Sequence, residues 1–326
     1  MKKVFAAFAG CIILTFGCTK SSVNEETTAD DTIESSIIKK CASHEVLEEQ
    51  LKADPTLAAR MAQIESFISQ YENNPSSFRA TNGDIIIPVV VNVLYKTAGQ
   101  NISDAQILSQ IAVLNEDFAG TNSDYNLTPG IWQPIRAGDT KIKFIHSKTV
   151  RQATSKKSWS TNDAMKKGAQ GGISPTTPTT HLNMWSCNMG GGILGYAQFP
   201  GGNPATDGVV MDDNAFGNTG TAAAPYGLGR TATHEVGHWL NLRHIWGDAT
   251  CGNDLVGDTP VAQSSNGGCP SFPKYGSCST TEPMMTMNYM DYTYDACMYM
   301  FTAGQNTRMQ ATFASGGGRN SFAQPQ

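Results

Sequence analysis

The sequence predicts an α+β protein, with a helical N-terminal stretch, a set of short strands mixed with helices, and a long irregular region near the C-terminus. Three observations predict it. Residues 85–95, IIIPVVVNVLY, are a β-branched run that fits a buried strand. Residues 42–72 and 103–118 carry apolar side chains at helical spacing. Glycine (32 residues) outnumbers Lys and Arg together (23), which suits a loop-rich mixed fold rather than a helical bundle.

The elements follow in order. Residues 19–34 are polar and acidic without periodicity, as in a linker. The helical spacing of 42–72 runs through Val46, Leu47, Leu51, Leu57, Met61, Ile64 and Ile68 and breaks at Pro55. Residues 73–82 are turn-rich and form a candidate cleavage point. The strand over 85–95 places Pro88 near its start, where a missing N–H does least harm. Ser103 caps the helix that follows. Further strands are predicted over 142–150, where His146 reads as structural, over 182–185, within 190–199, and over 208–211. A helix is predicted from about 225 to 240 and another over 302–313. There are no internal repeats.

The chain has 326 residues and a net charge of −5, enough for one or two soluble domains with a large core and no basis for nucleic-acid binding. Residues 1–18 read as an export signal. Lys2 and Lys3 precede an apolar run over 4–16 that is too short to span a bilayer comfortably. Gly17-Cys18 resembles a bacterial lipobox, although Thr15 and Phe16 depart from its usual residues, so Cys18 is a candidate lipid anchor and ordinary cleavage the alternative. The chain is therefore expected to be exported, as an outer-membrane lipoprotein or a secreted protein. An oxidising compartment lets cysteines pair. Cys251, Cys269, Cys278 and Cys297 allow three pairings, with Cys41 and Cys187 left over.

Chemistry concentrates in HEVGHWLNLRH, residues 234–244, which holds three of the six histidines. His234 and His238, four apart, share one helix face with Cβ atoms about 5–6 Å apart, so both can ligate one Zn²⁺. Glu235 adjoins the first ligand and is placed to take a proton from a water on the metal. His244 lies ten residues past His234, which on a continued helix is about 15 Å along the axis. The helix must therefore end between His238 and His244 if His244 is the third ligand. Asn241 sits at that bend, where a left-handed residue is needed. Trp239, Leu240, Leu242 and Ile245 read as core. Asp248, Asp254, Asp258 and Thr259 follow in a glycine-containing loop whose hard oxygen ligands suit Ca²⁺.

These residues, with NYMDY at 288–292, GGILGYAQFPGG, GVVMDD, RHIWGD and DACMYMFTAGQ, resemble the pappalysin family of metzincin metalloproteases over about residues 80–315. The resemblance implies a two-subdomain zinc metalloprotease with a twisted mixed sheet, an active-site helix and a methionine turn, preceded by a helical pro-segment. Together with the reading of the N-terminus, this divides the chain into a signal over 1–18, a linker and pro-segment over 19–78, a catalytic domain over 79–318 and a tail over 319–326. His234, His238 and His244 become the zinc ligands, Glu235 the general base, and Met290 the floor beneath the metal. Tyr292 becomes the residue that holds the metal or stabilises the oxyanion. Asn241 departs from the family, which has Gly there. The family favours Cys251–Cys278 and Cys269–Cys297 as disulfides. It gives Asp295 as the base of a pocket selecting Arg or Lys after the scissile bond. Cys41 matches a pro-segment cysteine that ligates the zinc in the latent form.

The expected function is a zinc endopeptidase made as a zymogen, acting as a monomer on protein or peptide substrates, with calcium as a second cation. One alternative is a catalytically weak peptide-binding module on the same fold, against which Glu235 argues. Another is a thermolysin-like enzyme using Glu282 as ligand, for which its surroundings of Pro283 and methionines are wrong.

Overall fold

The computed structural model describes Met1, residues 41–75 and residues 83–323. The export signal, the Cys18 anchor, the linker over 19–34 and most of the candidate cleavage stretch, residues 76–82, lie outside these residues. The predicted helical stretch is two helices, α1 (Ser43–Ala53) and α2 (Leu57–Asn73), broken where Pro55 requires it. The Asp54 carboxylate holds the corner, accepting from Thr56 N–H at 2.9 Å and from the Arg60 guanidinium at 2.7 Å.

Five strands form one sheet: β1 (Ile85–Tyr95), β2 (Ile142–Ala153), β3 (Leu182–Cys187), β4 (Gly195–Ala197) and β5 (Val209–Asp212). Their order is β2-β1-β3-β5-β4. β1 runs parallel to β2 and β3, β3 runs parallel to β5, and only β4 is antiparallel. A parallel strand covered on both faces must be apolar throughout, which is why IIIPVVVNVLY lacks polar alternation. Its alternate residues still part company: Val89, Val91 and Val93 pack with Leu114 and Phe118 on one face, Leu94 with Trp185 and Trp159 on the other. β2 extends to Ala153, beyond its predicted end, because residues 148–153 keep register with 90–95 after an irregularity between Val89 and Val90.

α3 (Asp104–Ala119) starts at the predicted cap, where Ser103 Oγ accepts from Gln106 N–H at 3.1 Å, and stops at Gly120 with φ 63°. α4 (Arg230–Trp239) begins later than the predicted 225. The N–H groups of Leu228 and Arg230 turn instead to the Asp295 carboxylate, at 2.9 and 3.2 Å. α5 (Ala303–Phe313) has a reciprocal Thr302/Gln305 cap. The irregular region between α4 and α5 is cross-linked by Cys251–Cys278 and Cys269–Cys297, the pairing the family favours.

Residues 319–326, expected as a tail, begin inside the core. Arg319 donates to both Asp207 carboxylate oxygens at 2.6 and 3.0 Å and to the Trp239 carbonyl at 2.9 Å, and its guanidinium stacks 3.9 Å over the Trp239 ring. Asp207 also accepts from the Trp239 indole at 3.1 Å, so the pair fixes the end of α4. Removing one member of a buried ion pair strands the other charge. Arg319→Met is expected to cost about 3–5 kcal/mol in urea unfolding; a loss below about 1 kcal/mol would show that the pair does not hold the end of α4.

Candidate active site

α4 presents His234 and His238 one turn apart, with ring centroids 4.7 Å apart. The helix then closes as the sequence requires. Asn241 has φ 70°, and Leu242 N–H reaches back to the Gly237 carbonyl at 2.9 Å, the capping bond of a left-handed terminus. The reversed chain brings His244 to the other two. The three Nε2 atoms lie 3.1, 3.1 and 3.3 Å from one another.

Each ring is aimed by its other nitrogen. His234 Nδ1 meets the Tyr289 carbonyl at 2.6 Å, His238 Nδ1 the Leu242 carbonyl at 2.8 Å, and His244 Nδ1 the Asp248 carboxylate. Nδ1–H donation leaves the Nε2 lone pairs facing a common point. Tetrahedral bonds of about 2.0–2.1 Å put ligand atoms about 3.3–3.4 Å apart, so this spacing fits a zinc ion. Cys41 Sγ completes the cluster, all four ligand atoms lying within 4.8 Å of one another.

Glu235 is fully buried beside them. Its Oε2 accepts from Ser43 Oγ at 2.8 Å and lies 3.5 Å from Cys41 Sγ. Burial and then the nearby Glu235 push the Cys41 thiol well up; a divalent cation among the histidines reverses that direction. Residues 41–43 lie along the free edge of β4 and run parallel to it. Ala42 N–H donates to the Gly195 carbonyl at 3.0 Å, and Ala197 N–H to Ser43 Oγ at 2.8 Å.

Met290 packs directly under α4, where a Cβ on Gly237 would stand 2.5 Å from its Sδ. Only glycine permits that approach. The Tyr292 hydroxyl donates to the Cys41 carbonyl at 3.1 Å, and its ring lies 4.8 Å from that of His244. Burial raises the Tyr292 phenol far above its ordinary value, so it stays protonated. Asp295 is buried at the start of α4, where it accepts the two backbone N–H groups described above.

Of the four residues expected to bind calcium, Asp254 and Thr259 meet each other, and each of the three acids has a partner within the protein. Asp248 serves His244. Asp254 accepts from Thr259 Oγ1 at 2.7 Å and Val256 N–H at 3.1 Å. Asp258 caps α5 through Thr302 Oγ1 and Gly304 N–H at 2.6 and 2.7 Å. Neighbouring hydroxyls and amides, which the spacing of acids does not reveal, take these carboxylates.

Several site residues escape sequence reasoning. Asp117 of α3 accepts from Thr233 Oγ1 at 2.6 Å and from the Tyr289 hydroxyl at 2.7 Å, while the Tyr289 carbonyl aims His234. Burial pushes the Asp117 carboxyl up to about 6 against the pull of Arg230. Asp291 pins the methionine turn by accepting from Asn266 and from Tyr292 N–H. Its place inside NYMDY is the one local signal for it. Glu65 of α2 accepts from Asn241 Nδ2 at 2.9 Å and from Arg308 at 2.6 Å, linking α2 to the bend.

A family model described as pregnancy-associated plasma protein-A, peptidase family M43, matches residues 196–314. An extracellular metalloprotease of Pyricularia oryzae is 34% identical over 285 residues, covering 85% of this chain and 85% of its own. Mirolysin in complex with a small compound is 47% identical with a TM-score of 0.72, covering 74% of this chain and 96% of that one. A promirolysin mutant of Tannerella forsythia is 42% identical with a TM-score of 0.78, covering 87% and 97%.

Loss of a partner that aims a ligand typically weakens metal affinity about 10–100-fold. Asp248→Asn is expected to weaken zinc binding by that factor in a chelator competition. Wild-type affinity in this variant would remove Asp248 from the metal site.

Proposed function

The chain belongs to the pappalysin family of metallopeptidases, M43, and we propose that it is an exported zinc endopeptidase made as a latent precursor. The convergence of three imidazole nitrogens beside a buried carboxylate carries this reading. Its extracellular relatives support export; the Cys18 anchor is part of the same proposal.

His234, His238 and His244 would hold the zinc, which when bound supplies Lewis acidity to a water and to the scissile carbonyl. Glu235 takes one proton from the attacking water as its oxygen bonds to the carbonyl carbon. The same carboxyl then gives that proton to the leaving nitrogen as the C–N bond breaks. The Tyr292 phenol donates a hydrogen bond to the carbonyl oxygen as charge develops there. Met290, packed against Gly237 of the ligand-bearing helix, would support the zinc site through it. The Gly195 carbonyl and Ala197 N–H on the free edge of β4 receive an extended peptide as an added strand.

In the precursor, residues 41–43 engage the three histidines, Glu235, Tyr292 and the β4 edge. Cys41 would supply the fourth ligand, since a thiolate binds zinc better than water does. Ser43 occupies Glu235 Oε2 and the Ala197 N–H, and the Cys41 carbonyl occupies Tyr292. The match to promirolysin extends over more of the chain than the match to mirolysin, which supports a pro-segment; its end at residue 78 and the start of the catalytic domain at Arg79 belong to the proposal. Asp295, by resemblance, draws Arg or Lys to the position after the scissile bond, with Arg better because it pairs bidentately. Cleavage before Arg79 would then be autocatalytic.

Glu235→Ala in the mature enzyme is expected to lose about 10²–10⁴-fold in peptide hydrolysis while retaining zinc; full activity would sink the base assignment. The Cys41→Ala precursor should hydrolyse peptide where the wild-type precursor is silent, and Cys41→Ala/Ser43→Ala should do so faster. Equal silence in all three would exclude the switch. Asp295→Ala should lose the Arg preference in a peptide library, and an unchanged profile would assign the residue to capping α4 alone.

A further inference from the structure

We propose that Phe199 forms a subsite for a large apolar side chain on the N-terminal side of the scissile bond, a reading that rests on the protease assignment above. The chain leaves β4 at Ala197 and continues through Gln198 and Phe199. Tyr196 and Gln198 are committed elsewhere: the Tyr196 hydroxyl donates to Asp163 at 2.8 Å, and the Gln198 amide accepts from Thr206 and donates to the Asn203 carbonyl at 2.7 and 2.9 Å. Phe199 instead meets a metal ligand, its ring centroid 5.3 Å from that of His238.

Phe199 shares one buried apolar cluster with Leu47, Leu57 and Met61, and Leu51 packs against it. All four belong to α1 and α2. Phe199 is 6% exposed in this packing. Departure of the pro-segment leaves an aromatic ring facing solvent next to the metal. The side chains that fill this place in the precursor are unbranched or γ-branched apolar groups, which defines the chemistry the ring accepts.

Strand direction fixes which side of the bond is read. β4 runs from Gly195, whose backbone passes Glu235, toward Phe199; a Cβ on Gly195 would lie 3.0 Å from Glu235 Cγ. A substrate that adds antiparallel to β4, opposite in sense to residues 41–43, places its N-terminal half along residues 197–199. At about 3.3 Å per residue, Phe199 lies roughly 13 Å from the Gly195 position. It would then face a side chain about two to four residues before the scissile bond.

The test is a cleavage-site profile of the mature enzyme on a peptide library, for wild type, Phe199→Gln and Phe199→Leu, with zinc content measured for each. Wild type is expected to enrich large apolar side chains at one position N-terminal to the bond. Phe199→Gln should lower the preference for Leu over Gln there about tenfold in kcat/KM, leaving the position after the bond unchanged. Phe199→Leu should keep the apolar preference and shift it toward larger side chains, and this variant decides the matter if the Gln variant loses zinc. N-terminal profiles identical to wild type in zinc-loaded variants would overturn the subsite. No cleavage by wild type would overturn the protease reading itself, and the subsite with it.

Discussion

Three imidazole nitrogens within 3.3 Å of one another are the constraint on which this structure depends. Nothing in a lone helix brings His244 to His238; a continued helix would carry it past the site. The left-handed Asn241 supplies the reversal. An L-residue in that conformation costs roughly 1–2 kcal/mol, less for Asn than for most. The cost is offset locally, because the Asn241 carbonyl accepts from Arg308 Nε at 3.0 Å and its amide reaches Glu65. The methionine turn answers the same constraint from below: Tyr289 aims His234, and Met290 fits against Gly237.

The contacts of the pro-segment with the rest of the chain are spread across the cleft rather than gathered at one atom. Cys41, Ala42 and Ser43 meet the histidines, the edge of β4, Glu235 and Tyr292. Leu47, Leu57 and Met61 cover Phe199, and Glu65 reaches Arg308. These contacts span α1 and α2, so the segment is held by apolar burial as well as by polar contacts at the cleft. In the account proposed above, that spread is what makes proteolysis, rather than a small shift of one side chain, the way to open the cleft.

Much of this was legible in the sequence where structure is local. Periodicity gave α1, α2, α3 and α5, Pro55 gave the break, and His234, His238 and Asn241 gave the metal helix and its end. Illegible features join distant residues. The start of α4 depends on Asp295, which lies beyond the methionine turn. The Arg319–Asp207 pair buries the first residue of the expected tail against α4. The spacing of the acids after His244 does not show the partners of Asp254 and Asp258, which are hydroxyls and backbone amides of the same loop and of the start of α5. Ser43 carries no signal at all, since a serine two residues past a cysteine is unremarkable until Glu235 is found opposite it.

The most direct test of the account is zinc-edge X-ray absorption on the precursor and on the processed enzyme. The account predicts one sulfur at about 2.3 Å with three nitrogens in the precursor, and nitrogen and oxygen ligands alone after processing. A precursor spectrum without sulfur would contradict it.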